Sequence, residues 1–272
     1  MGTMNRLDIV RSVAVADALG APYELGLHPE PGLSSRSFMT DSPGGPARPT
    51  VRILGGEAPY GTWTDDTQIV LMVLDALRRA PSDPVAAYRE NLIAWERGAF
   101  TPAGVRLDVG IQTSSAIAEL KRGADPAPTT SSGNACLMVA IGVFARGNGA
   151  EHLEGLVRST HHSDKAVHDA GRMLTVLDNA RDGIEPVPEV DVSLLPSMEP
   201  TGFSESTLYL AQHALQTSTT FLDGMDTINA AGGDTDSIGA VYGALCAVSG
   251  REVPRELTES LVAGELLEQH AG

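Results

Sequence analysis

The sequence predicts an all-α protein, a compact orthogonal helical bundle, and three observations support this. Apolar residues recur at helical spacing in several segments, clearly so over residues 66–80. Hydrophobic residues make up 42% of the 272 residues, enough for a substantial buried core. Aromatic residues make up only 4%, so aliphatic side chains must fill that core, which favours helices over a β-sandwich. We expect a single domain over residues 1–272.

Helices are predicted along most of the chain. The first covers residues 5–21 and ends near Gly20 and Pro22, where a helix is expected to stop. Residues 26–62 are rich in Gly, Pro and Ser, and we expect them to pass over the mouth of a functional site as a surface excursion. Residues 182–204 are also expected to be a loop. The other predicted helices cover residues 66–80, 84–97, 136–144, 206–222 and 254–270, with one after Asp108 through Leu120 and one after residues 160–164.

Charge and composition argue against several classes of protein. With 19 basic and 35 acidic residues the net charge is −16, so the chain has no overall attraction for nucleic acid or an anionic membrane. A local basic pocket stays open, so a nucleic-acid substrate is disfavoured without being excluded. Cys136 and Cys246 lie in apolar helical segments and are expected to be buried thiols. Without a long apolar stretch or a signal peptide, the sequence predicts a cytoplasmic monomer with no membrane contact.

Two acidic clusters, each opening a helix, are the candidates for chemistry. Residues 232–240 place Asp234 and Asp236 after a double glycine, where a tight turn directs both carboxylates into one small volume. Residues 64–67, Thr-Asp-Asp-Thr, repeat this chemistry before another apolar helix. Taken alone, either cluster fits ordinary N-capping, since acids and hydroxyls there suit the helix dipole. Together they predict an oxygen-rich cage for two divalent cations, Mg²⁺ or Mn²⁺.

Four further positions carry polar groups at predicted helix ends. Asp17 and Glu24 bracket the end of the first helix, where a buried acid can also simply accept from nearby backbone N–H groups. Asp108 is a candidate helix cap. Residues 129–134 place hydroxyls and a glycine at a helix N-terminus, which suits either an anion cradle or an ordinary cap. His161 precedes a helix and fits a capping or surface histidine as well as a ligand contact.

Three of these segments, in this order, resemble the motifs of the ADP-ribosylglycohydrolase family. They are residues 17–24 (Asp-Ala-Leu-Gly-Ala-Pro-Tyr-Glu), 63–68 (Trp-Thr-Asp-Asp-Thr-Gln) and 232–240 (Gly-Gly-Asp-Thr-Asp-Ser-Ile-Gly-Ala). The resemblance implies six metal ligands, namely Thr64, Asp65, Asp66, Asp234, Asp236 and Ser237. It implies Glu24 and Asp108 as acid–base residues, and contacts to ADP-ribose from Ser132, Gly133, Asn134 and His161.

The resemblance also implies the reaction, which is hydrolysis of the bond between C1″ of the distal ribose of ADP-ribose and an attached group. That group is a protein side chain, arginine or serine, or a small acceptor such as an acetyl ester or a nucleobase. Members of the family commonly carry a Gly after the Asn of the substrate loop, then an Arg and a Pro after the Met. Here Ala135 follows Asn134, and residues 139–142 after Met138 contain neither Arg nor Pro. Because of this departure, a protein that binds ADP-ribose without cleaving it is an alternative function. A structural protein stabilised by metal ions is another.

Overall fold

The computed structural model describes residues 5–27, 50–102, 104, 106–184 and 201–271, and within them it confirms the all-helical prediction. Most helices begin where the sequence places an acid, a hydroxyl or a proline before an apolar repeat. The helices are α1 (Arg6–Gly20), α2 (Asp65–Arg79), α3 (Pro84–Trp95), α4 (Ile111–Leu120), α5 (Ala135–Arg146), α6 (Leu153–Arg158), α7 (Asp164–Arg181), α8 (Ser204–Thr217), α9 (Phe221–Ala231), α10 (Thr235–Ser249), α11 (Arg255–Glu259) and α12 (Gly264–Ala271).

Helices α1 and α10 run antiparallel with their backbones in close contact. A Cβ atom added at Gly20 would lie 2.3 Å from the carbonyl oxygen of Thr235, and one at Gly243 would lie 2.4 Å from that of Ser12. The Ser12 hydroxyl donates to the Gly243 carbonyl at 2.6 Å. Since glycine has no side chain, it allows this approach, and the end of α1 meets the start of α10. The same apolar core also packs α10 on α8 and α9, and α2 on α3 and α5.

The described part of the predicted surface excursion contains a hairpin that the sequence did not predict. Strands β1 (Thr50–Ile53) and β2 (Gly56–Pro59) pair antiparallel, with Val51 opposite Ala58. The hairpin packs through a small apolar cluster against the 3₁₀ segment Ala21–Gly26 that follows α1. It therefore supports the segment that carries Glu24. The remainder of the predicted excursion and most of the predicted loop 182–204 lie outside the described residues.

Two predicted helices are each divided. The prediction of one helix over residues 206–222 was wrong because Thr220 caps a new helix in a capping box with Asp223, so α8 ends before α9 begins. The predicted helix over residues 254–270 is interrupted between α11 and α12, where Ala263 has a φ of 51° and the Val262 N–H donates to the Gly61 carbonyl at 2.9 Å.

Both cysteines are buried free thiols, as predicted, and burial raises the pKa of each to about 12. None of the helices in the described ranges combines the length and apolar character that crossing a membrane requires.

Candidate active site

The N-termini of α2 and α10 carry the two predicted acidic clusters, and the structure brings them together. The Ser237 hydroxyl donates to Asp66 Oδ2 at 2.9 Å, and the Thr64 hydroxyl donates to Asp236 Oδ2 at 3.3 Å. Two segments separated by about two thirds of the chain thus share one hydrogen-bonded cluster. Helix α1 connects the two helix starts, because it packs closely on α10 and its Asp17 carboxylate accepts hydrogen bonds from the start of α2.

Ordinary capping does not explain either cluster. Thr64 and Asp234 occupy the N-cap positions of α2 and α10, yet neither side chain accepts a hydrogen bond from its own helix. Thr64 instead faces Asp17 and Asp236, while Asp234 Oδ2 accepts from the Asn134 side chain at 3.0 Å. The polar groups that would normally satisfy the helix ends therefore serve contacts between distant segments.

Asp17 organises the start of α2, a role that the sequence analysis did not assign. Its buried carboxylate accepts from the backbone N–H and hydroxyl groups of both Thr64 and Thr67, at 2.5–3.1 Å. The alternative that Asp17 bonds to nearby backbone N–H groups at the end of α1 is not what the structure shows, because the N–H donors are those of Thr64 and Thr67, far along the chain. Only the first motif of the resemblance, which begins at Asp17, signals this position.

Glu24 and Asp108 form a carboxyl pair beside the cluster. One carboxylate oxygen from each of Glu24, Asp108 and Asp236 lies within 4.8 Å of the other two. Asp108 does not cap α4, which begins after Gly110; its backbone is in the left-handed region with a φ of 51°, which a non-glycine residue rarely adopts. The backbone next to Glu24 is bonded to the turn before α10, since the Leu25 N–H donates to the Gly233 carbonyl at 2.8 Å.

The acidic groups strongly oppose one another's ionisation. Burial, with the charge of Asp108 second, raises the pKa of Glu24 to about 9, and the two side chains are hydrogen-bonded. Burial, followed by the charge of Asp234, raises the pKa of Asp108 to about 6. Burial and neighbouring carboxylates also hold the pKa values of Asp65, Asp66 and Asp236 well above the ordinary range.

This donor set fits hard divalent cations. Carboxylate and hydroxyl oxygens are the ligands that Mg²⁺ and Mn²⁺ prefer, and bound cations would relieve the repulsion among the acids. Glu24 Oε2 is buried without a hydrogen-bond partner in the described part of the structure, which leaves a carboxylate oxygen available. The acidic cluster as a whole can therefore hold metal ions.

A cavity of about 710 Å³ opens above the cluster, within the range of small-molecule sites. Among the described residues, no Lys or Arg lines it. Its charged lining residues are Glu24, Asp65, Asp66, Asp108, Glu119 and Asp234. When these carboxylates are ionised they repel a phosphate-bearing ligand, and bound cations would offset that repulsion.

Three of the four predicted substrate-loop residues line the cavity: Gly133, Asn134 and His161. The His161 ring packs against Gly133 so closely that a Cβ there would lie 2.6 Å from Nε2. His161 is 2% exposed, and burial lowers its pKa to about 4, so the ring is neutral at pH 7. A surface or capping histidine is excluded, because Ser163 caps α7.

Ser132 is placed differently. It is not among the residues that line the cavity, and its hydroxyl instead donates to Asp169 Oδ2 at 3.0 Å. Phe203 and Gln112 are among the lining residues that sequence reasoning missed. Phe203 is 55% exposed at the cavity wall, and Gln112 carries a buried Nε2 that has no partner among the described residues. Neither position belongs to a motif of the resemblance, so the sequence offered no signal for them.

Comparisons with known proteins agree with this geometry. The sequence model of the family described as ADP-ribosylglycohydrolase matches residues 9–272. A solved structure titled "ADP-ribosylglycohydrolase-related protein complex" is similar, with 25% identity and a TM-score of 0.69, over 98% of this chain and 95% of that one. The search of curated proteins gave no match. Since the family match spans nearly the whole chain and both acidic clusters, the chain belongs to the ADP-ribosylglycohydrolase family, which supports a hydrolase that acts on ADP-ribose linkages.

Proposed function

We propose that the protein is a divalent-cation-dependent hydrolase that cleaves the C1″ glycosidic bond of an ADP-ribosyl group and releases ADP-ribose. One observation carries the proposal. The start of α10 donates to the start of α2 through Ser237 and Asp66, so two acid–hydroxyl clusters meet below a cavity lined by the substrate loop. If the acids and hydroxyls only capped their own helices, the N-termini of α2 and α10 would have no physical reason to lie together.

The ligands proposed for two cations, Mg²⁺ or Mn²⁺, are the six residues of the two clusters: Thr64, Asp65, Asp66, Asp234, Asp236 and Ser237. Glu24 and Asp108 adjoin them through the short distances to Asp236. Bound cations would orient the ribose hydroxyls and lower the pKa of a water molecule, which are the template and nucleophile-generating roles of metals.

Glu24 and Asp108 are the proposed acid–base pair. Breaking a ribosyl bond develops positive charge at C1″, so the departing group gains from a proton and the incoming water from losing one. In the metal-free protein the pKa of Glu24 is raised to about 9 and that of Asp108 to about 6, so Glu24 is the better proton donor of the pair and Asp108 the better proton acceptor. Such a separation of two pKa values suits a division into proton donor and proton acceptor.

The wall opposite the acids is proposed to hold the rest of ADP-ribose. Gly133 and Asn134 lie at the N-terminus of α5, where the positive end of the helix dipole favours phosphate, and neutral His161 lies beside them. The exposed ring of Phe203 offers a face on which a nucleobase can stack. With no Lys or Arg among the described lining residues, bound cations are proposed to neutralise the diphosphate as well.

The test is release of free ADP-ribose from a panel of arginine-, serine- and nucleobase-linked substrates, with Mg²⁺, Mn²⁺ or EDTA. We expect release that requires the metal, that Asp65→Ala with Asp66→Ala abolishes, and that Asp236→Asn lowers by more than about tenfold. The matched control is Asp83→Asn, since Asp83 is also a carboxylate at a helix N-terminus but caps α3 outside the cavity. It should keep the full rate.

The panel also selects among the open alternatives. Release from only one kind of linkage identifies the group to which ADP-ribose is attached. The metal cluster does not specify that group, because the cations would act on the ribose that all these substrates share. ADP-ribose binding without release from any substrate would replace the hydrolase by the binding-protein alternative. Monomeric state, cytoplasmic location and single-domain organisation stay predictions.

A further inference from the structure

A buried polar network lies behind the cavity wall. Asp169, on α7, is 1% exposed, and its Oδ2 atom accepts from the hydroxyls of Ser132 at 3.0 Å and Ser204 at 2.6 Å. Lys165 Nζ donates to the same oxygen at 3.0 Å. A buried carboxylate with three donors on one oxygen is a strong, directional anchor. Nothing in the proposed chemistry uses it.

The two serines belong to segments that face the ligand. The Ser204 N–H donates to the Ser132 carbonyl at 3.0 Å, and the Asn134 N–H donates to the Gly202 carbonyl at 3.0 Å. Segments 131–134 and 201–204 therefore pair side by side, although about seventy residues separate them along the chain. Their cavity-facing members include Asn134 and Phe203, whereas the two serines face Asp169.

This wall is also connected to the acidic cluster. Asn134 Nδ2 donates to Asp234 Oδ2 at 3.0 Å and to the Thr207 hydroxyl at 3.2 Å. A displacement of segment 131–134 would therefore move both a ligand contact and the partner of a proposed metal ligand. Behind the pair, Asp169 accepts a hydrogen bond from one serine of each segment.

We propose that Asp169 is a positioning residue that holds segments 131–134 and 201–204 together as one ligand-binding wall, and that Ser132 acts through Asp169 without touching the ligand. In naming ADP-ribose as the ligand, this inference rests on the function proposed above. It replaces the expectation, taken from the family resemblance, that Ser132 contacts ADP-ribose.

The first experiment measures KM and kcat of Asp169→Ala, and the dissociation constant of ADP-ribose by calorimetry. Loss of the anchor should raise KM and the dissociation constant by about tenfold, the scale of a removed charge-assisted hydrogen-bond network. The value of kcat should change by less than about threefold, since the groups at the reacting bond remain. Asp169→Asn should restore most of the affinity, because an amide oxygen can replace Oδ2 as acceptor while the amide nitrogen takes the place of Oδ1, which has no partner.

A double-mutant cycle separates the two roles of Ser132. If Ser132 acts through Asp169, Ser132→Ala raises KM in the wild-type background but adds nothing in the Asp169→Ala background. Full additivity of the two effects would show that Ser132 touches the ligand, and would overturn the proposal.

Hydrogen exchange supplies a readout that needs no substrate. In Asp169→Ala the amides of Asn134 and Ser204, which donate across the pair, should exchange faster by about tenfold, because the anchor no longer limits local opening. The matched control is Asp75→Asn, another buried carboxylate, which binds Asn91 and Arg78 away from the cavity. It should lower the melting temperature without changing KM or the exchange of these two amides.

These outcomes distinguish this inference from the proposed function. Unchanged exchange in Asp169→Ala, faster exchange with an unchanged dissociation constant, or an equal KM change in Asp75→Asn would each overturn the positioning role. A wild-type protein that neither cleaves nor binds ADP-ribose would contradict the proposed function, and the exchange of Asn134 and Ser204 would still decide whether Asp169 holds the wall.

Discussion

At the scale of single residues, Asp17 organises the site although it does not line the cavity. It is fully buried, and burial raises its pKa to about 6, against the opposing effect of its hydrogen bonds to Thr64 and Thr67. The sequence indicated that a buried acid ends α1. It did not indicate that the donors come from α2, because hydrogen bonds between segments leave no periodic pattern. The residues of the two acidic clusters were easier to identify, since hydroxyls and acids directly before an apolar helical repeat form a local signal.

The role of Asp17 predicts a large loss of stability in Asp17→Ala. The change leaves two backbone N–H groups and the Thr67 hydroxyl without their acceptor, while the Thr64 hydroxyl keeps Asp236, and unsatisfied buried donors cost about 1–3 kcal/mol each. We expect the free energy of unfolding in urea to fall by about 3 kcal/mol or more. In the control Asp83→Ala, which removes an exposed cap of α3, the loss should be about 1 kcal/mol. Equal losses in the two variants would contradict the organising role.

At the scale of elements, periodicity predicted where helices lie, and tertiary contacts decided where several of them end. Helix α2 was predicted within one residue at each end because its apolar repeat is long and bounded by Asp65 and Pro81. The division between α11 and α12 depends instead on the hydrogen bond from Val262 to Gly61, which no local pattern encodes. Thr220 carried a readable capping signal before α9 that the apolar repeat obscured.

The close packing of α1 on α10 predicts opposite effects for two glycine substitutions. Gly243→Ala would place a Cβ atom 2.4 Å from the Ser12 carbonyl, so the helices must separate, and we expect a loss of about 1–3 kcal/mol despite the higher helix propensity of Ala. Gly171→Ala on α7 meets nothing within 4 Å and should stabilise the protein by up to about 1 kcal/mol. Thermal unfolding of both variants tests this, and a stabilised Gly243→Ala would show that the helix contact is looser than described.

At the scale of the whole molecule, the chain is strongly acidic, and one buried cluster of its acids opposes folding when ionised. The net charge is −16, and the described cavity adds no cationic side chain to compensate its acids. A carboxyl group with a raised pKa in the folded state contributes stability below its unfolded pKa of about 4, and that stability is lost as pH rises through the folded value. For Asp17 and Asp108 the folded value is about 6, and for Glu24 about 9. The metal-free protein should therefore lose stability between about pH 4 and pH 9.

Divalent cations should reverse this trend, because they bind the ionised carboxylates and replace protons. The rise in melting temperature on adding Mg²⁺ or Mn²⁺ should be larger at pH 8 than at pH 6; an ion at 100 times its dissociation constant stabilises by about 2.7 kcal/mol.

Asp66→Asn separates the repulsion among the acids from the binding of cations, since it removes one of the repelling charges while an amide oxygen can still accept from Ser237. Without metal this variant should melt higher than the wild type, by about 2–4 °C for each kcal/mol gained, and with metal it should gain little. Asp83→Asn should behave as the wild type in both conditions. A metal-induced rise in melting temperature that is independent of pH, or that Asp66→Asn retains in full, would place the cations elsewhere. A variant that melts higher than the wild type without metal and gains little with metal would show that this cluster destabilises the metal-free protein and that cation binding offsets the loss.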